Sequence, residues 1–189
     1  MAGKGDKREA ILEAMLDLVV ERGFHNAPMS LLARRSGASP GVIYHYFPGK
    51  DALIHALYQQ VKAVKHEAIL GGFSPEMTPR EAFLHVMWNL YRFYRTHRRE
   101  VSFLDQYENS PYCGACEDGA ELGNDAASAQ ILAWFRPKKK GGVLKDLPKE
   151  ALEGLSLGFV ARLAKGPKGF SRAAVERITE TVWAAIAEE

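Results

Sequence analysis

The most chemically loaded stretch of the chain is 39–50, Ser-Pro-Gly-Val-Ile-Tyr-His-Tyr-Phe-Pro-Gly-Lys. Helical spacing puts Ile43, Tyr46 and Phe47 on one side and Pro40, Gly41, Tyr44 and His45 on the other. The second face carries no charge that would keep it in water for its own sake. It offers Gly41, whose missing Cβ lets a backbone come close to a base edge. Tyr44 can donate to phosphate, and His45 can donate or accept at a base. Lys50 falls in the first turn of the next helix, where a cation opposes the macrodipole by about 0.3–1 kcal/mol. A phosphate at that helix end would reverse the sign, because free N–H groups and the ammonium would bind it together. A fully solvated lysine satisfies the same position at negligible cost.

Charge is distributed unevenly around these residues. The 189 residues carry 25 Lys plus Arg against 23 Asp plus Glu, a formal net charge of +2. All of that excess sits in residues 1–50, where the acids stop at Glu21. Residues 22–50 hold Arg22, Arg34, Arg35 and Lys50, with His25 and His45 and no acid. Such a stretch suits a face that meets phosphate, and a chance fluctuation is the plainer account.

The elements that must position these side chains read as helices throughout. Asp6 and Glu9 have capping-box spacing, and Ile11, Met15, Leu18 and Val19 form an apolar stripe that Gly23 can end. Pro28 is suited to the first turn of a short second helix through Ser36. Gly37-Ala38 makes a sharp turn, and Ser39-Pro40 opens a third helix through Tyr46. A fourth helix runs from about 49 to 70. Gly71 to Pro79 is the expected boundary, and Thr78 with Glu81 caps a helix over 79 to about 96. Further helices are expected over roughly 124–135, 148–164 and 171–188, with no strand pattern anywhere. The fold class is all-α.

Composition bounds the remaining possibilities. Hydrophobic residues make up 47% and charged residues 25%, an ordinary globular mixture. No apolar run approaches the roughly 18 residues of a membrane span, and residues 1–10 are too polar for a signal peptide. A soluble, cytoplasmic, reduced protein without membrane partners is the expectation. Cys113 and Cys116 supply at most half a zinc site, so no metal or cofactor is assigned; the pair is either incidental or a redox-sensing thiol pair. Enzyme signatures are missing, and His66-Glu67 begins a zincin-like run that ends at Leu70. No catalytic residue is assigned.

Gly23-Phe24, the run Leu32 to Ser39, the run Gly41 to Phe47, and Lys50-Asp51-Ala52-Leu53 closely resemble the amino-terminal domain of TetR-family transcriptional regulators. The resemblance covers about 50 residues at the family's spacing. It implies a helix-turn-helix DNA-binding domain over 5–65, with the motif at about 28–47, and an effector-binding and dimerisation domain over 74–189. Carried over by position, Ser39, Pro40, Gly41, Tyr44 and His45 line the major groove while Lys50 meets the backbone. Ser30 and Arg34 complete the expected DNA-contacting set; Ser30 stands in for hydroxyl residues that the family places where Ala27 and Pro28 are found. The family also implies a homodimer on an inverted-repeat operator, with a small-molecule effector of unknown identity releasing a repressor. The competing reading is an all-α ligand-binding or protein-interaction module whose helix-turn-helix does not function.

Beyond residue 74 the sequence is less specific. Met87, Trp88, Tyr91, Phe103, Gln106, Tyr107, Trp134 and Phe159 make an aromatic-rich, polar-sprinkled set that could line an effector pocket. Ordinary core packing needs the same side chains. Gln106 and Asn109 are the polar candidates for ligand contact. The last two helices resemble the pair that forms the family's dimer interface, where Gly154 and Gly158 permit either close approach or mobility. Lys138-Lys139-Lys140 reads as a solvated loop or a contact for an acidic partner.

Overall fold

The computed structural model describes residues 4–113 and 125–188. Ten α-helices follow one another among the described residues: α1 (Lys4–Arg22), α2 (Met29–Ser36), α3 (Pro40–Tyr46), α4 (Lys50–Leu70), α5 (Pro79–Thr96), α6 (Arg98–Glu108), α7 (Ala126–Trp134), α8 (Lys149–Glu153), α9 (Phe159–Lys165) and α10 (Arg172–Ile186). No strand occurs among them; the only extended pairing is two isolated bridges, Pro137 with Leu144 and Leu144 with Ala187. No described helix is long and apolar enough to cross a membrane. The fold is all-α, as the periodicity implies.

Local chemistry sets the element ends. Gly23 and Gly37 adopt φ of 75° and 67°, the left-handed region that a Cβ disfavours, and so turn the chain after α1 and α2. Ser39 caps α3, its hydroxyl accepting from the Val42 N–H at 3.4 Å, and Pro40 occupies the first turn. Thr78 and Glu81 form the reciprocal capping box of α5: the Thr78 N–H donates to Glu81 Oε2 at 2.8 Å and the Glu81 N–H to Thr78 Oγ1 at 3.3 Å. Pro28 departs from expectation. It sits at the N-cap of α2 with ψ 153°, outside the first turn, and lends no side-chain bond. Its carbonyl instead accepts from the Leu31 and Leu32 N–H groups, both at 3.1 Å.

The chain forms two compact units. The first holds α1, α2, α3, α4 as far as Ala63, and α6; the second holds α4 from Val64, α5, and everything from α7 onward. In the first, α1 packs against α2, α3 and α6, burying Ile11, Met15, Leu18, Val19, Leu32, Ile43, Phe47 and Phe103. In the second, α5 is the central rod, packed against α7, α9 and α10. Its Phe83, Val86, Met87, Leu90 and Tyr91 share a core with Ile131, Val160, Val175 and Ile186. A π-helical turn, Gly154–Gly158, joins α8 to α9 without a break, giving the single helical run that the periodicity over 148–164 implies.

Candidate nucleic-acid interface

The helix-turn-helix is assembled from the inside. Ile43 and Phe47 are buried and Tyr46 is half-buried, so one side of α3 is anchored. The Arg8 guanidinium lies 5.5 Å from the Phe47 ring centre, tying the start of α1 to the end of α3. The opposite face is open. Ser39, Pro40, Gly41, Tyr44 and His45 are all exposed, Tyr44 at 53%, and a Cβ placed on Gly41 would meet nothing within 4 Å. Ser30 and Arg34 on α2 are exposed as well. A seven-residue helix buried on one side and bare of carboxylates on the other can enter a groove and approach base edges.

Three acids of α1 are paired with arginines. Glu13, Asp17 and Glu21 recur every four residues, and two arginines span them. Arg35 on α2 donates to both Glu21 carboxylate oxygens, at 2.6 and 2.5 Å, and lies 3.5 Å from Asp17. Arg99 on α6 lies 2.9 Å from Glu13 and 2.7 Å from Asp17. The hydrogen bonds from Arg35 hold the Glu21 carboxyl below the usual carboxylate range. Arg35 is thus occupied in joining α2 to α1, whereas its neighbour Arg34 projects outward. The regular acidic spacing on α1 was the available sign that cationic partners were needed.

Lys50 is neither fully solvated nor free. Its ammonium donates to the Phe24 carbonyl at 2.5 Å and is half-buried, and that burial lowers its pKa. Three donors on one ammonium leave capacity for a phosphate beside this bond.

The candidate effector residues divide between the two units. In the first, Phe103 and Tyr107 are buried, and Tyr107 stacks on Tyr58 with ring centres 4.1 Å apart. Gln106 is half-buried beside Gly23. In the second, Met87 is core, Trp88 stacks on Tyr91 at 5.7 Å, and Trp134 lies 6.3 Å from Phe73. Tyr91 is buried with its hydroxyl engaged by the Phe170 N–H at 2.7 Å. Phe159 is exposed. Asn109 is exposed too, and its amide donates to its own helix at the Asp105 carbonyl, 2.8 Å away. Cys113 is exposed and Cys116 lies outside the described residues. The tri-lysine run is a 3₁₀ turn, Lys138–Lys140, with Lys139 bound to Asp146 at 2.5 Å.

Comparison with known proteins finds similarity in both halves of the chain. A family model described as bacterial regulatory proteins, tetR family, matches residues 11–57, and one described as tetracyclin repressor-like, C-terminal domain, matches residues 80–187. The HTH-type transcriptional regulator BetI of Klebsiella pneumoniae strain 342 is 36% identical over 64 residues, 34% of this chain and 33% of that protein. BetI of Escherichia coli K12 is 34% identical over the same length, again 34% and 33% of the two chains. The matched stretch thus spans about a third of these curated relatives. A putative TetR-family regulator from Vibrio parahaemolyticus shares 27% identity and a TM-score of 0.76, with 97% of this chain and 100% of that one covered. A TetR-family regulator from Haemophilus influenzae shares 26% and 0.77, with 98% of each covered. One from Marinobacter aquaeolei shares the fold, with 23% identity, a TM-score of 0.82, and 97% and 96% covered. Matched in order along most of its length, the chain belongs to the TetR family of bacterial regulatory proteins.

Proposed function

We propose that this protein is a dimeric DNA-binding transcriptional regulator that acts in the cytoplasm as a repressor. It reads an inverted-repeat operator and is released by a small-molecule effector. The observation that carries the reading is the exposed, acid-free face of α3, held in place by buried Ile43 and Phe47 on its other side. Ser39, Pro40, Gly41, Tyr44 and His45 take the groove, and Ser30, Arg34 and Lys50 take phosphates. With no Lys or Arg on the reading face, phosphate contacts supply most of the affinity.

The dimer is formed by the helical run containing α9 together with α10. Leu155 and Phe159 are exposed one helical turn apart, at 49% and 39%, and the position of Gly154 is open, so a second chain can approach closely. The effector is received within the second unit, among Met87, Trp88, Tyr91 and Trp134. An effector coupling of about 1–3 kcal/mol is enough for a 5–150-fold loss of operator affinity.

Selection of genomic fragments on the purified protein, followed by anisotropy titration of a recovered duplex against salt, tests this. An inverted repeat bound with a steep salt dependence supports the reading. Absence of duplex binding at low salt overturns it.

A further inference from the structure

The connector between α9 and α10, Gly-Pro-Lys-Gly-Phe-Ser over 166–171, has the composition of a mobile loop. Its backbone and the end of α9 are nevertheless tied to α5 at three points. Arg95 Nη1 donates to the carbonyl of Ala164 at 3.2 Å and to that of Gly166 at 2.8 Å. The Tyr91 hydroxyl accepts from the Phe170 N–H at 2.7 Å. Two ring contacts flank these bonds. The Lys165 ammonium lies 5.3 Å from the Tyr94 ring, and the Arg172 guanidinium 5.9 Å from that of Trp88.

Positions 88, 91 and 95 share one face of α5, and together they hold one carbonyl at the end of α9, two backbone groups of the connector and the first residue of α10. The Arg95 cation sits at the C-terminal end of α9, where the macrodipole favours it, and its carbonyl partners satisfy groups a helix end leaves open. This is more fastening than a surface turn needs. What the turn connects is the pair of helices assigned above to self-association, and its own Phe170 is exposed at 40%.

We propose that Arg95 and Tyr91 are positioning residues for self-association: they preset the corner between α9 and α10, so that Leu155, Phe159 and Phe170 meet a second copy of this chain already ordered. A free six-residue connector would have to be ordered as the dimer forms, and that cost would be subtracted from affinity. The proposal rests on the dimer reading given above.

The test is sedimentation equilibrium of the full chain, with amide hydrogen exchange read in parallel. Arg95→Met keeps the aliphatic stem and removes the donors, and Tyr91→Phe removes one oxygen. The first is expected to raise the dimer dissociation constant about tenfold and the second about threefold, the ordinary worth of charged and neutral hydrogen bonds. Arg95→Lys, keeping one cationic donor, recovers part of the loss. In Tyr91→Phe the Phe170 amide exchanges faster while the amides of α5 stay protected, which establishes that the fold is intact. A dimeric wild type whose variants associate equally tightly, with the Phe170 amide released, overturns the positioning role alone. A monomeric wild type overturns the dimer reading, and the positioning role falls with it.

Discussion

The ammonium of Lys50, the first residue of α4, donates to the carbonyl oxygen of Phe24, just past the end of α1, at 2.5 Å. The ring of Phe24 faces α6 and the turn after it, with centres 5.8 Å from Phe103, 6.4 Å from Tyr107 and 5.2 Å from Tyr112. One residue of the α1–α2 turn is therefore gripped by its carbonyl from α4 and by its ring from α6. The lysine that the family resemblance assigns to phosphate is also a fastener of the unit that carries α3.

Lys50→Met is expected to show both roles in separate measurements. Loss of a half-buried charged hydrogen bond should lower unfolding stability by about 1 kcal/mol, read by denaturant titration. Loss of one phosphate contact should reduce the slope of log affinity against log salt by about 1. A stability loss with an unchanged slope would leave Lys50 a fastener only.

Tyr44→Ala and His45→Ala are expected to leave stability within about 0.5 kcal/mol, because both side chains are exposed on α3. His45→Ala should lower affinity for the selected operator by about 1–3 kcal/mol while sparing unrelated duplexes, as loss of a base contact does. Tyr44→Ala, which removes a hydroxyl able to donate to phosphate, should weaken both kinds of duplex alike. Competition titrations with the two duplexes separate the outcomes. Equal loss on both from His45→Ala would remove it from base reading.

The parts legible in the sequence are those decided within a few residues. Ser39 before Pro40 and Thr78 three residues before Glu81 act through one or two hydrogen bonds to near neighbours, and Gly23 and Gly37 after their helices act through their own positive φ. Outward Tyr44 and inward Ile43 follow from helical period alone. What could not be read was decided by distant partners. Arg34 and Arg35 are adjacent and identical in type, and both are exposed, yet Arg35 is claimed by Glu21, fourteen residues away. Arg95 looks like one more surface cation of α5 until the turn of α9 is placed over it. Placement of α6 with the first unit depends on Arg99 meeting Glu13, 86 residues earlier, and on Phe24.

The arginines of α2 and α6 that pair with the acids of α1 should behave as a salt-sensitive brace. Arg99 and its partners Glu13 and Asp17 are 35–46% exposed in their side chains, so the worth of the pairs is small. Arg99→Ala is expected to cost at most about 1 kcal/mol at low salt, with most of that difference gone in about 1 M salt. Denaturant titrations of wild type and variant at the two salt levels measure it. A difference that survives high salt would assign the effect to the packing of the arginine stem instead.

Asp125 gives a prediction with a definite pH window. One of its carboxylate oxygens accepts from the Ser128 N–H at 3.0 Å and the other from the Ser128 hydroxyl at 2.8 Å, while His66 Nε2 on α4 lies 2.7 Å away. The hydrogen bonds from Ser128, backbone first, with His66 adding to them, lower its pKa from 3.8 to about 2. The folded chain thus binds this proton more weakly than the unfolded chain. The contribution of Asp125 is complete above 3.8 and is lost as pH falls from there toward about 2. Asp125→Ala, which removes the cap of α7, is expected to cost about 1 kcal/mol at neutral pH. The gap between wild type and variant should then narrow progressively on acidification through that window, as followed by denaturant midpoints. A gap that stays constant to the acid end would mean that α7 is held by its buried Ile131 and Ser128 rather than by the charge at its start.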